Sequence, residues 1–264
     1  MGFVVVSDHG KEEAMNIVVA MKQVPDLKMI RIRDRRPLLE DVPFMMGEID
    51  RSALEAGAEL REALKGKLIV LSAGTEPLED TVKEALAAGA DEAILILDEA
   101  LRDGESALVA QVLAAALARM PDVGIILFGE GSADNYSGQV MARVAEILSW
   151  PQVGYAREIR IEGGVAQITR SLEDCEELLE VPLPVAVSVV AEIRQPKTPS
   201  VTGILRAGRK PKTLWTLADL NIGLNGGAPV RTISRLAPVS SRLGQVIGSV
   251  DELVEIVKAK RGPS

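Results

Sequence analysis

VGIILFGEGSADNYSGQVMARVAEILSW, from Val123 to Trp150, decides how the rest of the chain is read. Val123 to Phe128 is a short apolar run rich in β-branched residues, the composition of a strand buried on both faces. Gly129, Glu130, Gly131, Ser132, Ala133, Asp134, Asn135 and Tyr136 then form a small, polar, glycine-punctuated loop. Ser137 is expected to open the next helix, in which Val140, Val144 and Leu148 recur at helical spacing and which Trp150-Pro151 ends. Strand, glycine loop and helix together can cradle a phosphate. Glycines let backbone N–H groups approach the anion, and the helix N-terminus adds favourable partial charge. Ser132, Asn135 and Ser137 can add hydroxyl and amide donors. The competing reading is a plain turn with Ser137 as a helix cap and no ligand.

Composition narrows the classes of function. The chain has 264 residues, enough for one large or two small domains. It is 47% hydrophobic but only 3% aromatic, so Val, Leu, Ile and Ala must fill the core. A net charge of -8 argues against non-specific nucleic-acid binding. No run of 18 apolar residues occurs, so no membrane span is expected. The first residues lack a basic start followed by an apolar core, so no export signal is expected. The one cysteine, Cys175, excludes an internal disulfide and fits a cytoplasmic setting. With neither a second cysteine nor a histidine to activate it, Cys175 reads as inert. The one histidine, His9, argues against a Ser-His-Asp triad or a His-rich zinc site.

Residues 1–14 read as an N-terminal extension, with Met15 a candidate start, or else as an edge strand. NIVVAM (16–21) is a buried-type strand leading into the Pro25-Asp26 turn. Residues 27–47 are an excursion too long for a tight connection, with Arg31, Arg33, Arg35 and Arg36. Asp50 is expected to cap the following helix, and Gly66 to close it. Strands at 67–72 and 93–97 alternate with helices at 77–88 and 105–120. That rhythm predicts an α/β, mainly parallel sheet covered on both faces, with ligands beyond the carboxyl ends of its strands. The loops after Met21, Ser72 and Phe128 all fall at that edge. From Val153 the pattern changes to a hairpin around Glu162-Gly163-Gly164. The acidic run 172–180 reads as a solvated face or turn, and PLPVAVSVV (182–190) as a buried strand. Asp219 to Val239 has the look of an extended arm, and Ser249 to Lys260 of a terminal helix with Leu253, Ile256 and Val257 as its apolar face.

Four stretches carry a more specific signal: VVAMKQVPD, ALAAGADEAIL, SGQVMARVAEILSWPQ and VPLPVAVSVVAEIRQPKTPSVTGILRAGRKP. Through them the chain resembles the small (beta) subunit of the electron transfer flavoproteins, over essentially Met15 to Lys260. The resemblance implies a Rossmann-like, adenine-nucleotide-hydrolase-like fold over 15–205, and a C-terminal arm, 206–264, packing on a larger alpha subunit. It implies an electron carrier rather than a substrate-transforming enzyme. FAD would lie between the subunits, with dehydrogenases as electron donors and a structural AMP in this chain. Carried onto this sequence, the AMP would meet Ala20, then Gly47, Glu48, Ile49 and Asp50, then Ala73, and the loop Gly129 to Ser137. Leu27 would lie near the interface FAD. Val201 would anchor the partner dehydrogenase, with Arg194, Lys197 and Arg206 around it for electrostatic steering.

The chain departs from that family in places. Its central loop is shorter, Gly47-Glu48 replaces Asn-Pro, and Asp50 replaces a small or apolar residue. In some relatives a second FAD takes the place of AMP and the subunit serves NADH oxidation. Ser137-Gly138-Gln139 is closer to the Thr-Gly-Gln of the AMP type. A homodimeric ATP- or AMP-binding stress sensor is the alternative of another class, although the tail from Arg194 is long for one.

Overall fold

β-branched apolar runs become strands along the chain. The computed structural model describes residues 14–102, 104–223, 230, 232–239, 244 and 246–261. The expected N-terminal extension lies outside the described residues apart from Ala14. The order is Met15–Ala20 (β1), Gln23–Pro25 (β2), Arg31–Arg33 (β3), Arg36–Leu38 (β4), Phe44–Met46 (β5), Glu48–Leu64 (α1), Lys65–Gly74 (β6), Leu78–Ala88 (α2), Glu92–Leu97 (β7), Ser106–Leu117 (α3) and Val123–Gly129 (β8). It continues with Val140–Leu148 (α4), Gln152–Glu162 (β9), Val165–Ser171 (β10), Glu176–Pro182 (β11), Val185–Val189 (β12), Val201–Ala207 (α5), Lys212–Trp215 (β13) and Val250–Arg261 (α6).

Nine strands form one sheet in the order β11-β10-β9-β12-β8-β1-β6-β7-β13. Every pairing from β9 to β13 is parallel, and β10 and β11 extend the sheet antiparallel. The fold is thus a Rossmann-like doubly wound α/β sheet. Side chains alternate across a strand, so the unbroken apolar run of β1 serves two cores. Ile17 and Val19 pack with residues of α1 and α2, while Val18 and Ala20 pack with residues of α3 and α4. All four are almost wholly buried. After β1 the chain steps outward through β6 and β7, then returns through α3 to β8 on the other side of β1. The winding therefore reverses between β1 and β8, where a crevice opens at the carboxyl ends of the strands.

Three local expectations are corrected. Gly66 does not close α1. Lys65 does so in the left-handed conformation, φ 52°, with its N–H on Arg61 O. Gly66 lies in β6 instead, where a Cβ would fall 2.0 Å from Met15 O. The acidic run is not a turn throughout, since Glu176–Pro182 is the edge strand β11. Its charges meet cross-strand partners: Arg170 Nε donates to Glu177 Oε2 (2.7 Å), Gln167 to Glu180 (3.2 Å), and Arg157 pairs with Glu176. Finally, β13 extends the parallel sheet where no strand was expected.

The chain divides into two compact units, residues 1–30 with 39–233, and residues 31–38 with 234–264. The first holds the large sheet. In the second, the β3–β4 hairpin turns through Asp34 and Arg35, both at positive φ. Ala237 N donates to Arg35 O (2.7 Å), and Arg35 Nε to Ala237 O (2.8 Å). Ser249 Oγ accepts the Glu252 N–H (3.2 Å) at the start of α6. That helix leaves Leu253, Val254 and Val257 partly exposed.

The Gly66 contact is with backbone, which cannot swing aside. Gly66→Ala should lower stability by about 2 kcal/mol or more, read from the urea midpoint. An unchanged midpoint would contradict the close approach of β1 and β6.

Candidate functional site

One carboxylate organises the crevice between β1 and β8. Asp50 does not cap α1 as expected, because the helix already begins at Glu48, with Gly47 in the cap position and no side-chain cap bond. Asp50 lies in the first turn and is buried. Its Oδ2 accepts the Lys22 N–H at 2.8 Å, and the carboxylate also accepts the Gly129 N–H. A Cβ on Gly47 or on Gly129 would stand 2.7 Å from an Asp50 oxygen, so glycine is required at both positions. Burial pushes the Asp50 carboxyl up to about 7, against the lowering pull of those two N–H bonds and the Lys22 charge; the Asp134 charge adds to the rise.

The loop after β8 is held by β12, by Lys22 and by its own residues. Glu130 N donates to Val189 O (3.0 Å), and Tyr136 N to Ser132 O (2.8 Å). Tyr136 sits at φ 48° and its hydroxyl donates to Glu130 Oε1 (2.9 Å). A Cβ on Gly131 would come within 2.7 Å of the Tyr136 ring, so the ring closes over a glycine. Lys22 Nζ reaches across from the end of β1 to both oxygens of Asp134 (2.7 and 2.8 Å) and to Ser132 Oγ (3.3 Å). Burial works to raise the Asp134 carboxyl, but the Lys22 hydrogen bond and charge, with the Ser132 hydroxyl, hold it below the ordinary range.

Ser137 does not start the helix. α4 begins at Val140, with Gln139 in the cap position and no side-chain cap bond. α3 begins behind Glu105, also without one. Beside these two helix starts is a cavity of about 220 Å³, lined among others by Glu105, Ser106, Asn135, Ser137, Gln139 and Arg143. Gln139 Oε1 accepts from Ser106 Oγ (3.1 Å) and from Arg143 Nη2 (2.9 Å). Helix N–H groups, a guanidinium, two side-chain amides and two hydroxyls are donors that an anion could use, and the Glu105 carboxylate opposes one. Of these, Ser106 and Arg143 were not singled out from sequence, nor was Lys22, and Gln139 entered only through the Ser137-Gly138-Gln139 comparison. Gln139 and Arg143 stand four residues apart at the head of the helix after the glycine loop, a spacing that places them on one face.

Ala20 ends β1, Ala73 lies near the end of β6, and Gly129 ends β8, three neighbouring strands in register at one rim. Asp50 brings Gly47, Glu48 and Ile49 to that rim through its bonds to Lys22 and Gly129. Leu27 lies in the turn after β2, half-exposed. Val201 opens α5 and is 75% exposed, beside exposed Ile204 and Leu205. Ser200 Oγ caps this helix by accepting the Gly203 N–H (3.0 Å). A Cβ on Gly203 would meet Ala87 O at 2.7 Å, so α5 rides on the end of α2. Arg194 and Lys197 direct their charges inward, to Glu59 (2.6 Å) and Glu55 of α1, while Arg206 is exposed. A second cavity, about 280 Å³, lies beside Pro196 to Pro199, with the Arg51–Glu84 ion pair (2.7 Å) in its wall.

Residues 38–220 match the family described as Electron transfer flavoprotein domain. The chain is 35% identical over 249 residues to the electron transfer flavoprotein subunit beta of Thermoanaerobacterium thermosaccharolyticum, covering 91% of this chain and 95% of that protein. It is 32% identical over 241 residues to the caffeyl-CoA reductase-Etf complex subunit CarD of Acetobacterium woodii, with 88% and 92% covered. Over 215 residues it is 33% identical to the Mycobacterium leprae electron transfer flavoprotein subunit beta, with 78% and 81% covered. The fold is that of a Rossmann-like doubly wound protein. The chain belongs to the electron transfer flavoprotein family and resembles its beta subunits. Among the described residues no helix is long and apolar enough to cross a membrane.

Asp50 gives this site a pH signature. Its folded pKa is raised, so the folded state retains a proton that the unfolded chain loses, and stability falls as pH climbs from about 4 to about 7. Between pH 5 and pH 8 the wild type should lose roughly 3 kcal/mol relative to Asp50→Asn, measured by urea unfolding at each pH. Parallel pH profiles would contradict a neutral, buried Asp50.

Proposed function

We propose that this chain is the beta subunit of a heterodimeric electron carrier, acting with an alpha subunit and holding AMP at the β1/β8 rim. FAD shared with the alpha subunit supplies the redox chemistry, accepting electrons from dehydrogenases and passing them to a downstream acceptor. The reading rests above all on the cavity where two uncapped helix starts meet Asn135, Ser137 and Arg143 in a chain of this family. These donors suit a phosphate, and the glycines of the loop permit close approach. Ala20, Ala73 and Gly47 to Asp50 would line the nucleotide, and Leu27 would face the shared flavin. The protein's share is binding, orientation and exclusion of water. A cytoplasmic setting fits the single, exposed Cys175.

α5 would be the docking surface for a dehydrogenase. Val201, Ile204 and Leu205 present apolar area to solvent on a capped helix. Pro196 and Pro199 limit the freedom of the preceding segment, so less ordering is needed on contact. A second reading, in which this subunit binds a second FAD within a larger reductase assembly, draws on the likeness to CarD. Ser137-Gly138-Gln139 favours AMP. The homodimeric sensor has no support from the family match.

Two variants of the co-expressed complex test the assignment. Val201→Asp should abolish reduction by a dehydrogenase while leaving the bound flavin spectrum unchanged; loss of flavin with intact docking would contradict it. Arg143→Ala should weaken AMP retention on dialysis about tenfold or more without changing the FAD content. Unchanged AMP retention would remove the cavity from the nucleotide site.

A further inference from the structure

We propose that Lys22 and Asp134 form a latch across the nucleotide crevice, and that the nucleotide's phosphate binds by displacing Asp134 from Lys22. The inference rests on the adenine-nucleotide reading above and names a step in that binding. Lys22 follows β1 and Asp134 lies in the loop after β8, so the pair spans the point where the sheet's winding reverses. In open α/β sheets that point is where ligands enter. Both oxygens of Asp134 and Ser132 Oγ lie within 3.3 Å of Nζ, so an internal carboxylate takes the place of an anionic ligand.

The lysine is well anchored for this exchange. Its backbone N–H is fixed on the buried Asp50 carboxylate, so the side chain always starts from the same place at the rim. Its partner is easier to release. The side chains of Lys22 and Asp134 are 46% and 28% exposed, and a pair so open to water is worth little. The loop does not need the pair to keep its shape. Tyr136 N and Asn135 N both bond to Ser132 O (2.8 and 3.3 Å), and the Tyr136 hydroxyl holds Glu130. Electrostatics gives the exchange its direction. Glu130 and Asp134 make the loop acidic, and Lys22 is paired with Asp134. A phosphate entering beside a paired Asp134 would meet like charge. A phosphate that takes Lys22 for itself, with Asp134 turned to water, meets the lysine and the Ser132 hydroxyl beside it. A phosphate also carries more charge than the carboxylate it replaces, and so wins the ammonium.

The latch predicts opposite effects for its two members, confined to ligands that carry phosphate. The full chain, co-purified with its partner subunit and dialysed free of nucleotide, is titrated by equilibrium dialysis with radiolabelled AMP and separately with radiolabelled adenosine. Asp134→Asn should bind AMP about fivefold more tightly, and Lys22→Gln about fivefold more weakly. Lys22→Arg should stay near the wild type, and adenosine affinity should be the same throughout. AMP binding that Asp134→Asn leaves unchanged or weakens would overturn the latch and leave the nucleotide site standing. So would equal shifts for AMP and adenosine, which would mark the pair as structural. A wild-type complex that binds neither compound would overturn the nucleotide reading and the latch with it. Thermal unfolding of each variant, within a few degrees of the wild type, establishes that the affinities compare folded proteins.

Discussion

Three elements meet on the Asp50 carboxylate: the segment after β1 through Lys22 N–H, the end of β8 through Gly129 N–H, and the first turn of α1, which carries the side chain. The rim of a doubly wound sheet would otherwise expose unpaired backbone N–H groups at its point of reversal. Here one buried acid takes two of them. The cost is desolvation, which raises the carboxyl to about 7 and outweighs the bonds that favour ionisation. The gain is geometric, since both ends of the crevice are fixed to one helix. Gly47 and Gly129 follow from this arrangement, because a Cβ on either would collide with the carboxylate.

The same helix also supports the proposed docking surface. Beyond Asp50, α1 presents Glu55 and Glu59, which hold Lys197 and Arg194 of the segment leading to α5. The proposed nucleotide rim and the proposed docking helix are thus both referenced to one 17-residue helix packed on the central strands. Charge is treated differently at the two places. At the rim, Lys22 pairs across a crevice, whereas at the docking segment the cations pair inward and leave an apolar face outward. Such a face would suit the proposed docking of more than one dehydrogenase, because apolar contact is less particular than a matched ion pair.

Much of the fold was legible because the signals were strong and local. IVVA and IILF could only be strands buried on both faces, and their alternation with helix-forming stretches required a parallel sheet. The rim loops were legible from small residues at the ends of those strands. What sequence could not supply was contact between distant residues. Asp50 has the residue type of a helix cap, and only the position of Gly129 beside it makes it a clamp instead. Gly66 has the look of a helix stop, and only the nearness of Met15 O gives its reason. Lys22 and Asp134 are 112 residues apart, and neither type alone announces a pair. KTLW, four residues with three exposed, gives too weak a pattern to mark β13 as a strand.

The central claim is that this rim grips an adenine nucleotide while a second chain shares the flavin. The most direct measurement is to purify the co-expressed complex, denature it, and quantify what it releases. The account predicts one FAD and one AMP per pair of chains. Two FADs with no AMP would contradict the assignment of AMP to this subunit, and a homodimer releasing no flavin would contradict the account as a whole.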